Sequence, residues 1–418
     1  MTEPPAPPTS SNSRALVAWD HYQRWFLRGR VFRLAVQSRL LTLATAGVLL
    51  TIFGWWGLAH LFSGTDERPL LSLLPAYEIC PWQAADAAAV GNGAGLTRVA
   101  ELSGPELGQP PSDAFVDPWL RLSAPFRQLF ALTQTFTGAA FLLLAAVWAS
   151  AVWALFGGAI TRAVVVHLTR EEAISLGSAS TYARSRWVSY FAAPLFPLIG
   201  VVLVAVPMLG LGWLMRLSLL AAGLLWPLAL LAGLVSTILL AGLSVGWPLM
   251  HAAISAEGRD GFDALSRTYS YVYQRPLNYL LYAVSATLLG LLGLFVVDLF
   301  AAAVAHLAAW SVSWGSGRDL MLNALDPAAK HVGLDAWGAR LIWFWQRLTD
   351  VVVLGYAFAF FWTASTAIYL LLRHDVDGVT PDEVFLDDTE TFGLPPLAVD
   401  AAGVPVVPPE PSASPSTG

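Results

Sequence analysis

QLFALTQTFTGAAFLLLAAVWASAVWALFGGAIT, residues 128–161, contains no Asp, Glu, Lys or Arg. A membrane-spanning helix needs about 20 apolar residues, because about 1.5 Å of rise per residue must cover a hydrocarbon core of about 30 Å. This stretch exceeds that length, and it lacks the charged face that a helix on a soluble protein shows to water. Working outward, the pattern recurs. Residues 40–65 are uncharged, and between Arg186 and Glu257 the only charge is Arg216. Two helices fit that second interval, over about 188–210 and 217–250, with Gly210, Gly212 and Arg216 marking the turn. Residues 277–298 and 351–372 supply a fifth and a sixth. The sequence predicts an all-α polytopic membrane bundle of about six transmembrane helices.

Composition supports this class. Hydrophobic residues make up 56% of the chain and charged residues 12%, against roughly 25% charged in a soluble domain. The formal net charge of −6 averages over regions of opposite character. Residues 1–39 combine a Pro/Ser-rich start, expected to be disordered, with a basic, aromatic stretch holding Arg24, Arg28, Arg30 and Arg33. A spanning helix follows directly, so these arginines and rings suit lipid headgroups and not nucleic acid. That apolar run starts too late to be a cleavable signal peptide. Residues 40–372 form the expected helical domain. Residues 373–418 hold nine acids and eight prolines and read as a disordered acidic tail. Cys80 is the sole cysteine, which excludes an intrachain disulfide and a Cys-based zinc site.

Arginine placement sets the expected topology. With the N-terminus inside, inner segments carry 14 of the 23 basic residues, close to helix ends. Cytoplasmic loops carry the excess of Lys and Arg, so both termini are expected in the cytoplasm of a bacterial inner membrane. Two outer loops follow, over about 66–127 and 312–346. The second carries Trp314, Trp337, Trp343 and Trp345, an expected aromatic belt. Residues 299–311 are too short to span alone and read as an interfacial extension of the fifth helix.

Two inner loops look alike. HLTREEAISLGSASTYARSRWVSYF runs from His167 to Phe191, and HAAISAEGRDGFDALSRTYSYVYQRPLNYLL from His251 to Leu281. Each places acids before a short helix with Thr-Tyr, then Arg-x-x-x-Tyr: Arg186 with Tyr190, and Arg275 with Tyr279. The expected arrangement is a duplicated unit of span, interfacial helix and span. The runs SAEGRDGFDALSRTYSYVYQRP and GGAITRAVVVHLTREE resemble bacterial membrane proteins of the planctomycete type. More distantly, they resemble the membrane domains that accompany glycerophosphodiester phosphodiesterases. The resemblance covers roughly residues 155–290. It implies the membrane fold and carries over no active-site residue, and the chain contains no phosphodiesterase catalytic domain.

Six residues stand out as functional or interfacial candidates. Asp298 lies 20 residues along the fifth helix, where an ionisable group is costly, and is expected to pair with Arg347 or Arg216. His167 and His251 open the two loops and would bind metal only by meeting across a pseudo-two-fold. Glu257 sits among Arg259, Asp260, Asp263 and Arg267, and Asp263 with Arg267 has the favoured acid-first spacing. Arg186 and Arg275 complete the set. No Walker A loop, HExxH, nucleophile elbow or Rossmann fingerprint occurs, so no catalytic residue, metal or cofactor is assigned. The expected partners are membrane lipids, with proteins through the inner loops and acidic tail. The sequence favours a scaffold or accessory subunit in envelope organisation or transport. A small-solute transporter or channel and a lipid-acting membrane enzyme stand as alternatives.

Overall fold

The computed structural model describes residues 22, 25–26, 29–65, 67–77, 111–131, 134–326, 329, 331–379 and 383–385. The Pro/Ser-rich start, part of the basic aromatic stretch (with Arg24 and Arg28), Cys80 and the tail beyond Phe385 lie outside them. Among the described residues there are thirteen α-helices and no strand. Six are long and apolar enough to cross a membrane: α2 (Ser38–Phe62), α5 (Phe136–Arg170), α8 (Leu195–Leu217), α9 (Leu219–Glu257), α11 (Pro276–Ser316) and α13 (Leu334–Asp377). The shorter ones are α1 (Arg30–Ala35), α3 (Arg68–Leu73), α4 (Val116–Leu129), α6 (Leu176–Ser185), α7 (Trp187–Ala192), α10 (Gly261–Gln274) and α12 (Arg318–Leu325).

Helix starts and stops follow local chemistry. Thr135, Ser175, Ser218 and Asp260 cap α5, α6, α9 and α10, each side chain accepting from the amide three residues on, which satisfies an orphan donor. Gly258 and Gly378 end α9 and α13 in the left-handed conformation, which glycine adopts without a Cβ clash. Ser218 alone separates α8 from α9, so the turn follows the expected glycines, and Gly210 and Gly212 stay helical.

α5, α9 and α13 close at one end of the bundle, where α2 and α11 open. Arg30 reaches the His167 carbonyl, Arg162 the Ser255 carbonyl, and Asn278 the Asp375 carboxylate. This is the near end below. α13 is the central helix, with 94% of its most apolar window buried. Its interior segment, YAFAFFWTASTAIYLL from Tyr356 to Leu371, mixes aromatic with small residues, the composition that lets helices approach closely. Gly157 of α5 lies so close to Trp362 that a Cβ there would stand 2.8 Å from the indole. The three most apolar helices, α8, α9 and α11, are the least buried.

The two similar loops form the expected amphipathic helices between long apolar ones, α6 with α7 in the first and α10 in the second. The expected loop over 312–346 is largely helical, split among the end of α11, α12 and the start of α13. Residues 299–311 continue α11 without a break.

Candidate functional site

The second part of the expected loop 66–127 does not stay at the surface. α4 packs inside the bundle, running antiparallel to α5. Tyr77 donates to Gln128 at 2.7 Å and meets Phe141 edge to face near the far end. Trp119 donates to the Ser244 carbonyl at 2.6 Å, and Phe115 meets Phe361. Ser244 lies about 13 residues before the end of α9, or roughly 20 Å along its axis. The start of α4 is therefore deep in the bundle.

That start is polar. Asp113 Oδ1 accepts from the Phe115 and Val116 amides at 2.6 Å each, just ahead of the helix. Among the described residues Asp113 Oδ2 has no hydrogen-bond partner, and it lies against Gly290 of α11. The hydroxyl of Tyr356, on α13, is likewise buried without one. Asp117 accepts from the Ser112 amide at 3.0 Å and faces Arg121 at 2.8 Å, both side chains at most 1% exposed. Charged groups are held at such depth only where protein covers them.

α4 also walls a cavity of about 180 Å³ shared with α5, α8 and α9. Trp119, Phe126, Trp153, Leu198, Leu243 and Trp247 make it apolar, and Ser123, Arg127, Ser244 and His251 are its polar edge. Ser123 and Ser244 donate to carbonyls of their own helices at 2.7 and 2.9 Å. Arg127 bonds the Leu120 carbonyl at 2.7 Å and Ser123 at 3.2 Å, and forms no ion pair among the described residues. His251 lies 4.7 Å from Trp362 and 5.3 Å from Tyr190, ring to ring. Neither of its ring nitrogens has a hydrogen-bond partner among the described residues.

The near end carries two polar knots. In the first, the Ser255 hydroxyl meets those of Thr161 and Tyr190 at 2.7 Å each, and the Tyr190 ring fills the space a Cβ on Gly158 would need. Arg162 donates to the Ser255 and Phe385 carbonyls at 2.7 and 2.8 Å and lies over the Tyr182 ring. Arg186 bonds the Gly258 carbonyl and lies over Tyr182 and Phe385. In the second, Glu257, only 7% exposed, accepts from Tyr369 at 2.5 Å and pairs with Arg259, Arg267 and Arg373 at 3.1, 3.7 and 3.5 Å. Tyr271 donates to Asp377, and burial with that bond pushes its phenol up to about 12.

The sequence candidates part company here. Glu257 and Arg186 organise the two knots, whereas Arg275, at the matching place of the second loop, is exposed. His167 sits beside Arg30 at the near end of α5 while His251 lines the cavity, so their environments differ. No group of three His, Cys, Asp or Glu residues able to hold a metal occurs among the described residues. Asp298 is exposed, and Arg347 pairs with Asp350 at 3.2 Å instead. Asp263 pairs with Arg259 at 3.1 Å, because Arg267 is drawn to Glu257 and to Asp377 at 3.0 Å. Sequence reasoning passed over Asp113, Asp117, Arg121 and Arg127. The available signal was Asp117 and Arg121 four apart on an amphipathic segment that abuts the uncharged run.

Compared with protein-family models, curated proteins and solved structures, the chain matches none.

Proposed function

We propose that the chain is a multi-pass protein of a bacterial inner membrane that holds and passes a small apolar or amphiphilic molecule, with its near end in the cytoplasm. The observation that carries this is the cavity between α4 and the helices α5, α8 and α9. Its volume exceeds the roughly 150 Å³ of an apolar protein cavity that admits benzene. Apolar walls with a few polar groups are the usual lining of a small-molecule site. A helix that enters the bundle without crossing it is tolerated only when protein or a cavity surrounds it. The arginine-rich segments at the near end support the orientation.

Reconstitution into liposomes tests this. Transfer of a tail-labelled amphiphile between leaflets or vesicles should rise above that of empty liposomes and fall when Ser123→Trp fills the cavity. Equal transfer in all three preparations would refute it.

A second reading, an accessory subunit, is favoured by the α8–α9 hairpin. Leu203, Leu209, Trp213, Leu217, Leu220 and Leu224 are exposed there, a face that lipid or a partner's helix would cover. A stoichiometric protein partner after gentle detergent extraction would favour it.

A further inference from the structure

The cavity's two polar ends specify more about its occupant. Arg127 lies on the far-end side, where α4 approaches the start of α5, and it has no acidic partner among the described residues. Among the described residues its bonds come from Nε and Nη2, which leaves Nη1 for a ligand. A cation at the edge of an apolar chamber favours an anion there, since charge in low dielectric is costly without its opposite. On the near-end side is His251, only 3% exposed, with both ring nitrogens unpartnered among the described residues. A neutral imidazole offers one donor and one acceptor, which a hydroxyl satisfies and an alkyl chain does not. Between them the wall is indole, phenyl and leucine.

Resting on the carrier reading above, we propose that the ligand is a single-chain amphiphile with a carboxylate for Arg127 and a hydroxyl along its chain for His251. A carboxylate fits better than a phosphate, because one guanidinium already bonded at two of its nitrogens has little to offer a dianion. The hydroxyl adds selectivity: a buried polar group left unpaired costs more than a paired one contributes, so His251 disfavours a plain chain.

The test uses the full chain in lipid nanodiscs. Tail-brominated stearate is the reporter, read by quenching of Trp119 and Trp153, whose share is fixed with Trp119→Phe and Trp153→Phe variants. Unlabelled mid-chain hydroxystearate, stearate, stearyl alcohol and stearyl phosphate compete. Hydroxystearate should displace the reporter at a concentration at least tenfold below stearate, and stearate at least tenfold below the alcohol and the phosphate. Arg127→Gln should close the gap between acid and alcohol, and Arg127→Lys should keep it. His251→Phe should close only the gap between hydroxystearate and stearate. Equal displacement by all four in the wild type would overturn the ligand class while leaving the cavity as a chain-binding site. A reporter that never quenches Trp119 or Trp153 would sink the carrier reading as well.

Discussion

Asp117 and Arg121 face each other at 2.8 Å one turn apart on α4, and neither side chain is more than 1% exposed. Such a pair stabilises little against an apolar substitute, because both ions were stripped of water, but breaking it strands a charge. Asp117→Ala or Arg121→Ala should each cost about 3–5 kcal/mol, read as a drop in the thermal unfolding midpoint in detergent. Asp117→Leu with Arg121→Met in one chain should recover much of that loss. A double variant as unstable as either single one would show that the pair has no such cost to relieve.

Tyr356 offers the opposite case. Its hydroxyl is buried beside α11 without a partner among the described residues, and an unsatisfied group of this kind costs about 1–3 kcal/mol. Tyr356→Phe should raise stability by about 1 kcal/mol. A decrease on the same unfolding assay would mean that the hydroxyl is paired in the folded membrane protein.

Glu257 ties α9, α10 and α13 together through Tyr369 and three arginines. Glu257→Gln keeps the shape and removes the charge, which should cost about 1.5–3 kcal/mol, the range for hydrogen bonds to charged groups. Because Arg259 and Arg267 are substantially exposed, part of that loss should shrink in high salt. Unfolding in urea at two ionic strengths reads both effects.

Tyr271 gives a pH dependence of known sign. Its folded value of about 12 lies above the ordinary 10.0, so its contribution to stability is fully present below pH 10 and is lost as pH rises through 12. Tyr271 is one of several late-ionising tyrosines, so a tyrosinate absorbance titration should lose one late-ionising group in Tyr271→Phe and show one group shifted downward in Asp377→Asn. An unchanged titration curve in Tyr271→Phe would contradict the assignment.

The six long helices were legible because charge-free runs in this chain have no other stable use. Their order of burial was partly legible too: the run from Leu217 to Val235 across α8 and α9 has Ser218 as its one polar residue, while α13 carries Thr363, Ser365 and Thr366 among aromatics. The deep placement of α4 was not. Its charges resemble those of a solvated surface helix until Arg121 is seen folded back on Asp117, and only the assembled bundle supplies the cover. Asp298 misled for the converse reason. Its position along α11 was readable, but which face of that helix meets neighbours depends on α13, and Asp298 lies on the exposed face.

The helix that α2, α5, α9 and α11 pack around is also the last of the six along the chain. A ribosome inserting this protein from its N-terminus delivers α2, α5, α8, α9 and α11 before the segment around Trp362 and Tyr369 exists. Until then Trp153, Gly157 and His251 lack the Trp362 ring they lie against. Packing of that interior therefore waits for α13, and a product that stops short of Val351 leaves those faces uncovered. Quality control of such fragments would act on those faces, long before any question of ligand arises.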